Sequence, residues 1–185
     1  MRVLVLSCAS LCLLAAPARA GTIIDPPAGA LPYQQWVDES KIPTPEVTLR
    51  LIEEPCPPEL AGFALACTAK GSYTIWMDPQ TGTRARFLHE LGHNFDYYEL
   101  GRWASRQFRK IIVDDRKWRS KPGEVGLSPH EIFAEAYSLC ARKRTISRAI
   151  IRLPPIRIGP EQHAAICALI RESYRPELPR TPSGA

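Results

Sequence analysis

The segment His89-Glu90-Leu91-Gly92-His93 constrains this chain more than any other stretch. Residues four apart lie one turn apart on the same face of an α-helix, so His89 and His93 can bind one metal ion if the segment is helical. Glu90, directly after the first histidine, can then reach a water molecule on that metal. Two imidazole ligands beside a carboxylate base form the H-E-x-x-H arrangement of zinc peptidases. The segment therefore predicts a helix that carries a catalytic zinc site.

Three apolar segments before this helix predict a small antiparallel sheet. They cover residues 47–52, 63–68 and 72–77, with a turn at residues 70–71. The third segment directly precedes the helix. We expect it to be an edge strand that lies beside the helix and pairs with an extended peptide.

Four helices are predicted after the sheet, which gives an α+β fold with a mainly helical second half. The first begins at a Thr81 or Thr83 cap and ends near Gly101, because threonine caps helix starts and glycine adopts the conformation of helix ends. Gly92 has no side chain and allows another segment to approach closely. The other helices cover residues 102–113, 128–140 and 161–174.

The first twenty residues predict a secretory signal peptide. Arg2 provides the positive start, the apolar run that follows is too short to span a bilayer, and cleavage is expected after Ala20. The remainder predicts a proline-rich lead-in at 21–45 with one short helix, a single domain at 46–175 and a flexible tail at 176–185. The expected location is therefore extracellular, with no membrane span in the mature chain.

Four cysteines follow the predicted signal peptide, namely Cys56, Cys67, Cys140 and Cys167. An even number of cysteines in an exported chain predicts two disulfide bonds, for which three connectivities exist. We favour Cys56–Cys67 and Cys140–Cys167, because each pair closes a short loop between neighbouring elements. These cysteines form no C-x-x-C pair, so a cysteine-based zinc site is not expected.

A catalytic zinc ion needs a third protein ligand, and Glu131 is the favoured residue. The segment Ser128-Pro129-His130-Glu131 begins a separate helix that can pack across the first. The same glutamate also fits a capping box with Ser128, which is the structural alternative. Glu135, one turn further on, can accept the free ring N–H of a ligand histidine. The two glutamates could exchange these roles.

Another class of zinc peptidases takes its third ligand six residues after the second histidine, beyond a turn made by glycine. In this chain the glycine position holds Asp96 and the ligand position holds Glu99. A residue with a Cβ resists positive φ, so this alternative is disfavoured. We interpret Asp96 instead as a partner that supports the metal helix or one of its histidines.

The two motifs together resemble the anthrax lethal factor family and its small secreted relatives, the Pro-Pro endopeptidases. That family combines an H-E-F-G-H-x-x-D helix with a later E-F-F-A-E-A-F helix. This chain has H-E-L-G-H-N-F-D at 89–96 and E-I-F-A-E-A-Y at 131–137. The resemblance implies a zincin-like metallopeptidase domain of the glutamate-ligand class. It also implies Glu90 as the catalytic base and three Zn2+ ligands, namely His89, His93 and Glu131.

One departure from that family concerns the group that stabilises the oxyanion. The family places a tyrosine seven residues before the third ligand, where this chain has Glu124. A hydrogen-bond donor from elsewhere would have to replace that tyrosine during peptide hydrolysis. The candidates are Tyr137, Tyr97, His130 and His163.

These features predict a secreted zinc-dependent endopeptidase, which hydrolyses peptide bonds through a zinc-bound water activated by Glu90. Its expected partner is a peptide or protein substrate. Nucleic acid is not expected, because the basic residues are interspersed with acidic ones despite a net charge of +5. Two other functions stay open. One is a non-catalytic secreted binding domain with a structural or absent metal, and the other is a hydrolase acting on cell-wall peptides.

Overall fold

The chain begins with its main sheet and continues with most of its helices, which is the arrangement of the α+β class. The computed structural model describes residues 21–53, 56, 65–113, 128–146, 149–152 and 155–174. Four predicted features lie outside these ranges: the signal peptide, the start of the second strand, Glu124 and the terminal tail. The α+β prediction is confirmed.

The main sheet has four strands in the order β1-β2-β4-β3. They are β1 (Ile23–Ile24), β2 (Val47–Leu51), β3 (Ala66–Thr68) and β4 (Thr74–Met77). Strands β1 and β4 run parallel to β2, and only β3 is antiparallel to its neighbour β4. The predicted antiparallel arrangement is therefore confirmed for β3 and β4 and wrong for β2 and β4, whereas β1 was not predicted. The chain reverses direction twice between β2 and β4, so these adjacent strands end up parallel.

The third predicted segment forms β4, an inner strand between β2 and β3. The expectation that it is the edge strand is therefore wrong, and β3 ends the described sheet instead. The turn between β3 and β4 lies where it was predicted. Gly71 has a φ of 97° there and supplies the left-handed conformation that the turn requires.

The described chain contains five α-helices: α1 (Leu31–Asp38), α2 (Arg84–Phe95), α3 (Gly101–Ile112), α4 (Pro129–Arg142) and α5 (Pro160–Ser173). The proline-rich segment thus contributes both β1 and α1. An antiparallel hairpin of β5 (Ala149–Arg152) and β6 (Pro155–Ile158) precedes α5 and was not predicted. No helix in the described ranges is long and apolar enough to cross a membrane.

The H-E-x-x-H segment lies in α2, whose apolar face is fully buried in the core. The residues of this face are Phe87, Leu88, Leu91 and Phe95. The helix begins at Thr83, whose hydroxyl accepts a hydrogen bond from the Arg86 N–H and confirms one of the two predicted caps. Because the apolar face is buried, the rotation of α2 is determined. The rotation in turn determines the direction in which the two histidines point.

Gly92 allows α4 to approach α2 closely. A Cβ at this position would lie 2.8 Å from the Cα of Ala134 and 3.0 Å from the Cβ of Tyr137. Carbon atoms in contact are normally about 3.5–4.0 Å apart, so any side chain here would push the two helices apart. The close approach predicted at Gly92 is confirmed. The approaching segment is α4, the helix that carries Glu131.

Beyond its last α-helical residue, α2 continues into a π-helical turn at Asp96–Leu100. Gly101, with a φ of 64°, redirects the chain into α3 at the predicted end of the first helix. The hydroxyl of Tyr98 in the π-helical turn accepts hydrogen bonds from the backbone N–H groups of Gly71 and Tyr73, at 2.6 and 3.3 Å. These bonds attach the β3–β4 turn to the end of the metal helix.

Two disulfide bonds join the cysteines in the pairing that the sequence favoured. Cys56–Cys67 attaches a loop residue to β3, with Cα atoms 5.8 Å apart. Cys140–Cys167 joins α4 to α5, with Cα atoms 5.5 Å apart. The second bond links the helix of Glu131 covalently to the last helix.

Candidate metal centre

Helix α2 presents two imidazole rings on the side that faces α4. The ring centroids of His89 and His93 are 4.7 Å apart, as expected for residues separated by one helical turn. Their side chains are 17% and 9% exposed, so both rings are largely buried. The two histidines are therefore held in a partly enclosed position before any ion binds.

Glu131 on α4 completes a group of three ligand atoms. Its Oε2 lies 3.3 Å from His89 Nε2 and 3.4 Å from His93 Nε2. Two atoms that are each about 2.1 Å from a zinc ion in a tetrahedral site lie about 3.4 Å apart. No fourth histidine, cysteine or acidic side chain of the described ranges joins this group. The spacing therefore fits zinc with one coordination position left for water or substrate.

The capping box that the sequence offered as an alternative is not formed. Ser128 is the N-cap residue of α4, but its side chain makes no capping hydrogen bond. The carboxylate of Glu131 contacts histidines instead of the backbone of Ser128. Contacts between a carboxylate and imidazole rings are charge-assisted when the ring carries a proton, and they outweigh a bond of the capping type.

Glu135 lies one turn after Glu131 and contacts the opposite side of the first histidine. Its Oε1 is 3.2 Å from His89 Nδ1, a close contact whose alignment falls short of a hydrogen bond. The structure thus places Glu131 at the Nε2 atoms and Glu135 at Nδ1 of His89. An acceptor at Nδ1 favours the ring tautomer whose Nε2 is free to bind a metal.

The carboxyl groups of Glu90 and Glu131 have opposite pKa shifts. Burial raises the pKa of Glu90, and the two histidines of α2 oppose this shift. Burial also acts to raise the pKa of Glu131, but hydrogen bonds with His130 and the α2 histidines hold it well below its ordinary value. One carboxylate is therefore suited to accept a proton near neutral pH, whereas the other stays ionised, as a metal ligand must.

The first histidine shows what a metal ion would replace. Burial lowers the pKa of His89, but the nearby carboxylates of Glu131 and Glu135 outweigh burial and raise it to about 10. The ring therefore holds a proton between two carboxylates at neutral pH. A metal ion bound at Nε2 would take the place of that proton and balance the same negative charges.

Two of the four proposed oxyanion donors lie beside the metal group. The ring of Tyr97, in the π-helical turn, is stacked 6.4 Å from the ring of His93. The ring of His130, next to Glu131 on α4, is 5.2 Å from the same histidine. The second ligand histidine is thus flanked by one phenol and one imidazole.

The structure does not bring the other two proposed donors to the site. The hydroxyl of Tyr137 is fully buried and donates a hydrogen bond of 2.8 Å to the carbonyl oxygen of Pro43. His163 lies on α5, where its Nε2 is 3.4 Å from the sulfur of Cys167. Both side chains are buried and belong to the core.

Asp96 is the first residue of the π-helical turn and is buried. Its backbone N–H donates to the carbonyl oxygens of Gly92 and His93, which continues the helix past its second ligand. The Nδ1 atom of His93 has no hydrogen-bond partner in the described part of the chain. Asp96 therefore supports the helix end, and its contact with a ligand histidine stays a prediction.

Asn94 is a structural contributor that sequence reasoning missed. Its Nδ2 donates to Thr68 Oγ1 at 2.8 Å and to the carbonyl oxygen of Glu90 at 3.3 Å. The Thr68 hydroxyl in turn donates to the carbonyl oxygen of Thr74 at 2.8 Å. These bonds connect β3 to the turn of α2 that bears Glu90. A polar residue directly after the second ligand, on a helix with a buried face, was the available signal.

Comparison with known proteins gives no assignment: no family model, curated protein or solved structure matches this chain. The functional interpretation therefore depends on the residues and their geometry. That geometry combines three ligand atoms at zinc spacing, a buried carboxylate with a raised pKa and two flanking aromatic rings. Together they could hold one divalent metal ion and move one proton.

Proposed function

We propose that this chain is an exported zinc-dependent endopeptidase with a zincin-like fold, related to the lethal factor family. The observation that carries the proposal is the position of Glu131 Oε2, at 3.3 and 3.4 Å from the Nε2 atoms of His89 and His93. Zinc at such a site polarises a carbonyl group and lowers the pKa of bound water. The three side chains fit that ion in type, number and spacing.

Glu90 is the residue that moves the proton in this proposal. It directly follows the first histidine and is 7% exposed, and burial raises the pKa of its carboxyl group. A carboxylate of this kind accepts the proton of the attacking water and delivers it to the nitrogen of the leaving amine. Because Glu131 remains ionised, the two glutamates keep separate roles.

The substrate in this proposal is an extended peptide that lies along β3. This strand ends the described sheet, and an extended segment can add to such a strand through main-chain hydrogen bonds. Asn94 holds β3 against α2, and Tyr98 holds the following turn. A peptide on β3 would therefore keep a constant position relative to the metal helix.

The order of the elements and the disulfide bonds support the zincin-like fold and export. A mixed sheet with an antiparallel last strand precedes the helix of the two histidines, and a later helix supplies the third ligand atom. Disulfide bonds persist mainly in oxidising compartments, so two of them favour an extracellular chain.

Metal analysis and peptide cleavage test the proposal together. The chain without its predicted signal peptide is expected to contain one zinc ion. A chelator should abolish the cleavage of a peptide library, and added zinc should restore it. Glu90→Gln should retain zinc but lower the cleavage rate by about 100- to 10,000-fold, because the general base is lost.

A matched control removes a carboxylate elsewhere. Glu39, the residue that follows α1, pairs with Arg84 at 2.7 Å and is outside the metal group, so Glu39→Gln should cleave at the parent rate. If Glu90→Gln cleaved as fast as the parent, the assignment of the base would be wrong. If the folded parent bound no zinc, the enzyme proposal would be rejected in favour of a binding domain.

A further inference from the structure

Glu131 uses its two carboxylate oxygens for different partners. Oε2 faces the Nε2 atoms of the two histidines on α2, at 3.3 and 3.4 Å. Oε1 lies 3.2 Å from Nε2 of His130, the residue that precedes Glu131 on α4. The second oxygen is thus occupied by a neighbouring imidazole.

The contacts of His130 determine which nitrogen of its neutral ring carries the hydrogen. A carboxylate has no hydrogen to donate, so Nε2 must be the donor toward Glu131. Nδ1 is then an acceptor, and the hydroxyl of Ser128, 2.5 Å away, must donate to it. Ser128 therefore favours the tautomer in which His130 can donate to Glu131.

Ser128 forms this contact instead of the bond that its position favours. A serine at the N-cap usually accepts a hydrogen bond from a backbone N–H two or three residues later, worth about 1 kcal/mol. Ser128 is 4% exposed and makes no such bond. Its buried hydroxyl is directed at His130, although stability of α4 alone would favour the cap.

We propose that Ser128 and His130 are positioning residues that make Glu131 offer a single oxygen, Oε2, to the metal. Ser128 holds the ring of His130, and His130 holds Oε1. This inference rests on the zinc site of the proposed function but not on peptidase activity. Its consequence is that a coordination position stays open for water or substrate.

The zinc dissociation constant, measured by chelator competition, tests this pair without reference to cleavage. His130→Phe keeps an aromatic ring but removes both contacts, and it should raise the dissociation constant by about 10- to 100-fold. Ser128→Ala should raise it less, because the ring loses only one of its two partners. His130→Gln keeps an N–H donor at about the same distance from the backbone as Nε2. It should therefore bind zinc with most of the affinity that His130→Phe loses.

A double variant separates positioning from general loss of structure. If Ser128 acts only through His130, adding Ser128→Ala to His130→Phe should cause no further loss of zinc affinity. If the two substitutions caused independent structural defects, their losses of zinc affinity would instead add. The visible spectrum of bound Co2+ gives a second readout, because a Glu131 that binds through both oxygens raises the coordination number and weakens the absorption.

A control removes a serine hydroxyl from the same helix. Ser138 donates a hydrogen bond of 2.9 Å to the carbonyl oxygen of Ala85, outside the metal group. Ser138→Ala should lower the melting temperature but leave the zinc dissociation constant and the Co2+ spectrum unchanged. Melting temperatures of all variants show which of them are folded at the temperature of the binding assay.

Three results would overturn the positioning role. They are an unchanged zinc affinity in both single variants, additive losses in the double variant, or a loss in His130→Gln as large as that in His130→Phe. A parent chain that binds zinc but cleaves no peptide would refute the proposed function, while the affinity ratios would still decide the role of Ser128 and His130. A parent chain that binds no zinc would overturn both.

Discussion

Substitution of Gly92 by alanine tests whether the spacing of two helices determines the metal site. The added Cβ would lie 2.8 Å from the Cα of Ala134 and 3.0 Å from its carbonyl oxygen. These atoms belong to the backbone of α4, so no side-chain rotation can relieve the contact. To reach the usual carbon–carbon distance of about 3.5–4.0 Å, α4 must move away by about 1 Å.

The effect on stability should be modest, because two contributions oppose each other. Overpacking of a tight contact costs about 1–3 kcal/mol. Replacement of glycine by alanine inside a helix stabilises the helix by about 1 kcal/mol. Gly92→Ala should therefore lower the free energy of unfolding by about 0–2 kcal/mol. Most molecules would stay folded at room temperature, so activity can be measured.

The effect on the site should be much larger. Glu131 moves with α4, so its Oε2 would no longer be 3.3 and 3.4 Å from the two histidines of α2. Zinc sites tolerate deviations of about 0.2 Å in ligand distances. A displacement of about 1 Å at a catalytic group can reduce activity by about 100-fold. We expect that loss in kcat/KM together with weaker zinc binding.

Gly101→Ala provides the matched control. A Cβ on Gly101 would meet no atom within 4 Å, but its φ of 64° is unfavourable for alanine. This variant should lose about 1–3 kcal/mol of stability through backbone strain while retaining zinc affinity. If Gly92→Ala bound zinc and cleaved peptides like the parent, the inference that α2–α4 spacing sets the ligand geometry would be refuted.

Three further predictions concern a ligand, a core tyrosine and a buried histidine. Glu135→Gln should raise the zinc dissociation constant by about 10- to 100-fold, and Glu131→Gln should raise it further, because only the latter removes a ligand. Tyr137→Phe leaves the carbonyl of Pro43 unpaired and should lower the free energy of unfolding by about 1–3 kcal/mol in urea titrations, with kcat/KM unchanged. Burial and a nearby arginine lower the pKa of His163 below 6.5. The unfolded chain therefore binds a proton at His163 more readily than the folded chain does, so stability is lost as pH falls below about 6.5. In His163→Gln the melting temperature should fall less steeply with decreasing pH.

Each of these predictions has an outcome that would contradict it. Equal zinc affinities for the two glutamine variants would show that the assignment of ligand and orienting residue is wrong. A loss of kcat/KM in Tyr137→Phe, with the fold intact, would return this hydroxyl to the oxyanion candidates. An unchanged pH dependence in His163→Gln would mean that other groups control acid stability.

Features that depend on neighbouring residues could be predicted from the sequence. The spacing of His89 and His93 places both rings on one helix face wherever α2 lies, because an α-helix repeats every 3.6 residues. Thr83 and Gly101 mark the ends of that helical segment through backbone preferences of single residues. The favoured cysteine pairs were correct because each closes a short loop.

Features that depend on packing needed the tertiary structure. Direction in the sheet depends on how the chain connects the strands, and alternation of apolar residues is the same in parallel and antiparallel strands, so the orientation of β4 was predicted incorrectly. The positions of Tyr97 and Tyr137 differ because one lies in a π-helical turn beside His93 and the other in the core. Their residue types alone carry no such information.

The segment that begins α4 shows most clearly which features the sequence determines and which depend on tertiary packing. By itself, Ser128-Pro129-His130-Glu131 has the pattern of a capped helix start, and the helix does begin there. The sequence alone determined that start and the metal-binding capacity of the histidine pair. Only the close packing of α2 and α4 at Gly92 decided that Glu131 faces those histidines. A polar side chain binds the strongest hydrogen-bonding or charged partner within contact distance, and tertiary packing determines which partners are that close.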